Sequence, residues 1–404
     1  MTPTYRTTIT QPPRPAVYGD WPAWAYPPLI AQLADEYGIT RPYQHQSLTA
    51  ATAHDGRHVI VATGTSSGKS LGYQLPALTD LARDPAACAL YLTPTKALGN
   101  DQLTAILRLC RADPALASIN PAPYDGDTPT EARRTIRATS RYLVTNPDML
   151  HGGILAYPNL WRRLLANLRY VIVDEAHQYR GVFGAHVSLV LRRLLRLARR
   201  AQQPRGNVRE GRRGDRVGGH GGPKTGGPVV ILASATSNNP AQHAARLIGN
   251  PDVVAVTEDG SPRGRRTIIL TETGPADSPG RALGEDSGEG VGEGLAADAG
   301  DAGRQADVHP GDRRRSITTE AALLMADFLV EGARTLVFTK SRAGAELVAL
   351  HAQTELARVG RPDLGARVAA YRAGYLAADR GGSNRHSTMV SYWGLPPPMP
   401  WSWG

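Results

Sequence analysis

Cysteine, phenylalanine and lysine are all scarce in this chain of 404 residues. Two cysteines, Cys88 and Cys110, cannot build a zinc site by themselves and supply no disulfide framework. Cys88 lies in the apolar run Ala86–Leu92, which reads as a core strand. No signal peptide is evident, and no apolar run approaches the roughly 18 residues of a membrane span. Both absences point to a cytoplasmic chain without membrane contact. There are four lysines among 46 basic residues, and the formal net charge is +10. Such a balance permits binding to a polyanion without proving it, since arginine-rich coding alone produces it. Three of the four lysines, Lys69, Lys96 and Lys340, fall in motif-like stretches. Where a compact ammonium is needed, arginine does not substitute.

The most informative stretch is Ala62 to Ser70, ATGTSSGKS. It follows the β-branched run His58-Val59-Ile60-Val61 and leads into Leu71-Gly72-Tyr73-Gln74-Leu75. That order predicts strand, glycine-bearing loop and helix. Such a loop aims several backbone N–H groups at the positive end of a helix dipole, where a triphosphate fits. Thr63, Gly64, Thr65, Ser66, Ser67 and Gly68 form the cradle. Lys69 supplies a point charge for the β- and γ-phosphates, and Ser70 a hydroxyl for Mg²⁺. Thr63 stands where the usual G-x-x-x-x-G-K-[ST] pattern begins with glycine, so the loop is a variant.

A second strand, Tyr170-Val171-Ile172-Val173, delivers Asp174-Glu175-Ala176-His177 at its end. Four apolar residues ending in two acids read as a buried parallel strand. Asp174 is placed to hold Mg²⁺, and Glu175 to orient and deprotonate an attacking water. A third apolar strand, Val229–Ala233, ends in Ser234-Ala235-Thr236.

GKS, DEAH and SAT in this order resemble motifs I, II and III of the superfamily 2 helicases, the DEAD/DEAH-box class. Pro94-Thr95-Lys96-Ala97-Leu98 resembles motif Ia. Tyr124–Thr128 and Val144–Leu150 are similar to motifs Ib and Ic. Arg41–Gln46 resembles the Q motif, with Gln46 as adenine reader. The wording PTKAL, YDGDT, TNPDMLH and DEAHQYRGVFGAHV is nearest the RecQ-like Hrq-type DNA helicases, which carry a C-terminal cysteine-bearing domain. The resemblance implies an α/β fold. One RecA-like P-loop domain has a mostly parallel sheet, and an incomplete second RecA-like domain follows. It implies ATP and Mg²⁺ as cofactors, with ATP bound between the two domains. His177 joins Lys69, Asp174 and Glu175 in the catalytic set, and Ser234, Ala235 and Thr236 couple hydrolysis to the track. DNA is the implied partner, ahead of RNA. Thr95, Lys96, Gly126, Thr145, Arg342 and Arg372 are expected to line one continuous surface for it.

Composition divides the chain. Residues 1–20 are Thr/Pro-rich and expected to be loose, and residues 21–265 form the first RecA-like domain. A Gly/Arg-rich insert at 203–228 is expected to be disordered. An acidic, Gly-rich linker follows at 272–315, and a partial second domain at 316–380. Within that domain Ile317-Thr318-Thr319-Glu320 reads as the capped start of a helix. Arg334–Arg342 resembles motif IV. Residues 381–404 hold three Trp and four Pro without helical or strand period, so they are expected to lack regular structure. Synonymous codons for this tail allow a shifted frame with the wording of the family's motif V. The expectation is a frameshifted, truncated helicase. Motif VI, the family's source of arginine fingers, is missing from it, which puts turnover by this chain in question. The alternative is a non-cycling ATP- and DNA-binding remnant, or a product without function.

Overall fold

The computed structural model describes residues 5–111, 113–203, 227–271, 273, 315–371 and 388–392. Most of the expected insert, the linker and the tail beyond Tyr392 lie outside these described residues. Twelve strands are described. They are β1 (Tyr5–Gln11), β2 (His58–Ala62), β3 (Cys88–Leu92), β4 (Ala122–Pro123), β5 (Tyr142–Thr145) and β6 (Leu168–Val173). The others are β7 (Val229–Ser234), β8 (Val253–Val256), β9 (Arg266–Thr271), β10 (Leu336–Thr339), β11 (Val368–Tyr371) and β12 (Thr388–Tyr392). Two compact units separate, Pro12–Arg265 and a second made of Met1–Gln11 with Arg266–Gly404.

The first unit is a seven-stranded sheet in the order β4-β5-β3-β6-β7-β2-β8, with every pairing parallel. Its central strands read as unbroken apolar runs because helices cover both faces. Alternate side chains feed two cores. Val59, Val61, Tyr91, Tyr170, Ile172 and Ile231 pack on one face, under helices Gln44–His54 and Lys69–Arg83. Ile60, Leu90, Leu92, Val171, Val173 and Leu232 pack on the other, under Gly181–Gln202 and Pro240–Ile248. After β2 the chain crosses to β3, leaving β6 and β7 to fill the gap later. In open parallel sheets ligands bind outside the carboxyl ends at such a crossover. The loops leaving β2, β6 and β7 therefore converge on one edge.

The expectation of a loose N-terminus is corrected. Tyr5–Gln11 is strand β1, paired antiparallel with β9, with Thr8 opposite Ile269 and Thr10 opposite Thr267. Threonine and isoleucine favour a pleated surface, and the run holds no proline until Pro12. Residues 14–19 are also tied down. Arg14 N–H donates to Arg263 O at 2.8 Å, and Val17 N–H to Gly260 O at 2.8 Å.

In the second unit helices Ile317–Val330 and Arg342–Arg358 share a core of Met325, Leu329, Val348, Ala352, Leu356 and Val368. Ser316 caps the first of these helices, its Oγ accepting Thr319 N–H at 3.1 Å, one residue before the expected start. Strand β10 turns Val337 toward this core and leaves Leu336 and Phe338 exposed. The expectation of a wholly irregular tail is also corrected, because β12 lies between β10 and β11, parallel to both. All four tail prolines come after Tyr392, and Thr-Met-Val-Ser-Tyr keeps every ladder donor.

Candidate active site and nucleic-acid interface

Strand β2 is buried along its whole length and hands the chain to the loop Thr63–Gly68. Ser66 and Gly68 adopt positive φ, 61° and 75°, before helix Lys69–Arg83 begins. Thr63, at the position that usually holds glycine, is buried, and its hydroxyl meets Ser67 Oγ at 2.7 Å. Lys69 Nζ donates to the carbonyls of Gly64 at 2.8 Å and Thr63 at 3.3 Å. Burial pushes the ammonium's pKa down against the opposing pull of Glu175 and Asp174.

Gln46 is buried against this loop with both amide ends engaged. Its Nε2 donates to Gly68 O at 2.7 Å, and its Oε1 accepts Tyr43 N–H at 2.7 Å. Groups not foreseen in the sequence complete the support. His45 Nε2 lies 3.0 Å from Ser67 O, and its Nδ1 accepts Gly260 N–H at 3.2 Å. Since a carbonyl only accepts, Nε2 carries the proton. Burial lowers this histidine's pKa, in keeping with the neutral ring. Asp259 pairs with Arg14 at 3.1 Å, and a Cβ on Gly64 would stand 3.1 Å from its Oδ2. A signal existed in the glycine of Asp259-Gly260, since a Cβ there would come 2.8 Å from Val17 O.

Asp174 follows β6, and its backbone N–H still donates to Leu92 O at 2.9 Å. Its Oδ2 accepts hydrogen bonds from the buried hydroxyls of Tyr91 and Tyr73, and its Oδ1 accepts Glu175 N–H at 2.9 Å. Glu175 sits at φ 50°, a left-handed conformation rare outside glycine and associated with functional strain. Burial and then the neighbouring Asp174 push its carboxyl above the ordinary glutamate range. His177 Nδ1 is 3.1 Å from Glu175 Oε2 and 3.4 Å from Ala235 N. The tautomer with its hydrogen on Nδ1 donates to Glu175, and the tautomer with it on Nε2 accepts Ala235 N–H at Nδ1. One nitrogen thus joins the end of β6 to the end of β7. Ser234 is buried, with Oγ donating to Ala235 O at 2.8 Å, while Thr236 is exposed.

The expected nucleic-acid residues divide. Thr95, Lys96 and Gly126 are exposed on the first unit. Thr95 Oγ1 accepts Leu98 N–H at 3.4 Å, and Lys96 Nζ pairs with Asp127 Oδ2 at 2.6 Å. A Cβ on Gly126 would lie 3.9 Å from Lys96 Nζ, so these residues share one edge. The surface role expected of Thr145 is corrected. That residue is 3% exposed, and its hydroxyl is spent on Tyr124 O at 2.6 Å. Strand β5 sits inside the sheet and turns it inward. Arg342 is exposed at the start of a helix in the second unit. Arg372 lies outside the described residues.

Residues 41–244 match the family model described as DEAD/DEAH box helicase. The chain belongs to this family. It is 34% identical over 338 residues to the ATP-dependent helicase HRQ1 of Saccharomyces cerevisiae, covering 84% of this chain and 27% of that protein. It is 33% identical over 344 residues to the uncharacterized ATP-dependent helicase YprA of Bacillus subtilis, covering 85% of this chain and 38% of the relative. The chain therefore spans well under half the length of these relatives. Among solved structures, the DUF1998 helicase MrfA bound to DNA and AMPPNP superposes with a TM-score of 0.77 at 29% identity. That match covers 97% of this chain and 47% of MrfA. The fold is RecA-like, as the sequence implied, and among the described residues no helix is long and apolar enough to cross a membrane.

Proposed function

We propose that this chain binds ATP at the edge where β2, β6 and β7 end, hydrolyses it, and couples hydrolysis to movement along and unwinding of DNA. The observation that carries this reading is that Lys69 feels the charges of Asp174 and Glu175, while Glu175 is linked through His177 to Ala235. Lys69 exchanges its loop carbonyls for the β- and γ-phosphates, and the loop amides hold the same oxygens. Gln46 braces Gly68 and presents its remaining donor toward the adenine. Glu175 orients and deprotonates the attacking water, and its raised pKa makes it a better proton acceptor than an ordinary carboxylate.

Mg²⁺ suits the hard oxygen donors of Ser70 and Asp174. Among the described residues no cluster of three His, Cys, Asp or Glu could cage a metal by itself. This agrees with an ion held by few protein ligands plus substrate phosphates. When bound, the ion neutralises charge developing on the transferred phosphoryl group. The tyrosine hydroxyls on Asp174 fix the orientation of its carboxylate.

DNA as the track follows from kinship with a helicase solved on DNA, with Thr95, Lys96, Gly126, Arg342 and Arg372 as contacts. We place the chain in the cytoplasm, in keeping with two free, buried cysteines. Steady-state ATP hydrolysis with and without single-stranded DNA tests the reading. Stimulation by DNA, lost in Glu175→Gln, is expected. Binding of both ligands without turnover would favour the non-cycling alternative and overturn the hydrolytic part.

A further inference from the structure

Beside Lys96 and Gly126 the first unit opens into a cavity of about 620 Å³, within the roughly 300–1,000 Å³ of small-ligand sites. Its lining mixes two chemistries. Arg133, Arg137 and Lys96 bring positive charge. Tyr157, Leu160 and Trp161 bring aromatic and aliphatic surface. Part of the lining is fixed. The Trp161 ring meets Tyr124 edge-on with centroids 4.7 Å apart, and its Nε1 donates to Gly153 O at 3.2 Å. Arg133 lies over the Tyr124 ring at 5.5 Å, held by bonds to Thr128 O at 3.1 Å and Asp125 O at 3.2 Å. Tyr157 and Leu160 are instead 58% and 61% exposed, large apolar groups facing water.

The cavity is bordered by an irregular turn. Leu150–Ile154 is a π-helical turn, a geometry that tends to mark functional sites. Within it, a Cβ on Gly152 would meet nothing within 4 Å beyond its chain neighbours and its own helix backbone. Glycine therefore leaves this space open, at a cost in helix propensity that alanine would remove.

We propose that this cavity receives one unpaired nucleobase of the strand that crosses the Thr95–Lys96–Gly126 edge. The inference rests on the nucleic-acid reading above. A nucleotide has an anionic phosphate and a flat apolar face, matching a lining both basic and aromatic. The Asp148 carboxylate, also at the cavity, would repel a phosphate but accept a hydrogen bond from a base amino group. Bases in a duplex are stacked and paired, so the occupant comes from a single strand or is flipped out of the stack.

The test is fluorescence anisotropy of the full chain with two labelled single strands of equal length. One bears mixed bases and the other is abasic throughout. Gly152→Leu fills the open space, and Tyr157→Ala removes an exposed wall, with thermal melting to check that both remain folded. Each variant is expected to bind the base-bearing strand about 5- to 150-fold more weakly, the range of one stacked base, and the abasic strand as the parent does. Equal loss on both strands, or loss on neither, would overturn the proposal while leaving the nucleic-acid reading standing. Failure of the parent chain to bind either strand would overturn that reading, and this proposal with it.

Discussion

Replacing Gly68 by alanine tests how the nucleotide loop is braced. At φ 75° an L-residue carries strain of about 1–2 kcal/mol. The new Cβ would also stand 2.5 Å from Gln46 Nε2. Gln46 must then withdraw, giving up its bonds to Gly68 O and Tyr43 N, each worth about 1 kcal/mol net. The single substitution should therefore destabilise the chain by about 3–4 kcal/mol. In a Gln46→Ala background the obstruction and both bonds are already gone, and Gly68→Ala should cost only the backbone term. The coupling between the two positions is then about 2 kcal/mol, well above the ~0.3–0.5 kcal/mol scatter of independent sites. Urea unfolding of the parent, both single variants and the double variant measures it. Additive costs would refute the brace and leave Gln46 as a capping residue only.

Lys69→Ala should abolish binding of a fluorescent ATP analogue, and unchanged affinity would remove Lys69 from the site. The raised pKa of Glu175 should shift the acid limb of any DNA-stimulated hydrolysis above the ordinary glutamate range, with activity lost as pH falls through it. A limb at the ordinary glutamate value would argue against Glu175 as the base. His58 is fully buried, and burial followed by nearby Arg199 pushes its pKa down to about 4. The unfolded chain takes up that proton near pH 6.5, so stability should be complete above it. About 3 kcal/mol should be lost as pH falls from 6.5 to 4. His58→Leu should flatten this part of the stability–pH curve, and an unchanged slope would show that another group is responsible.

Much of this architecture is legible in the sequence because buried parallel strands announce themselves. His58–Ala62, Tyr170–Val173 and Val229–Ser234 are apolar, β-branched and each followed by a polar motif. The loop of Lys69 and the acids of Asp174–Glu175 fall where those strands end. What escaped depends on contacts between distant segments. Tyr91 and Tyr73 look like ordinary core aromatics, and only the pairing of β3 with β6 sets Tyr91 beside Asp174. His45, which supports the phosphate loop, also meets Gly260 across 215 residues of chain, and Asp259 faces Gly64 of that loop from the same distant segment. Thr145 misled because a motif position does not say which side of the strand faces solvent. Strands β1 and β12 were hidden by prolines close by in sequence but outside the strands themselves.

On the proposed function, the ends of β2 and β6 form one ATP site. Equilibrium binding of a fluorescent ATP analogue with Mg²⁺ tests it most directly, on the parent chain, Lys69→Ala, Asp174→Asn and Glu175→Gln. Binding by the parent and by Glu175→Gln is expected, with a loss of Mg²⁺ dependence in Asp174→Asn and no binding by Lys69→Ala. Equal affinity in all four, or none in the parent, would contradict it.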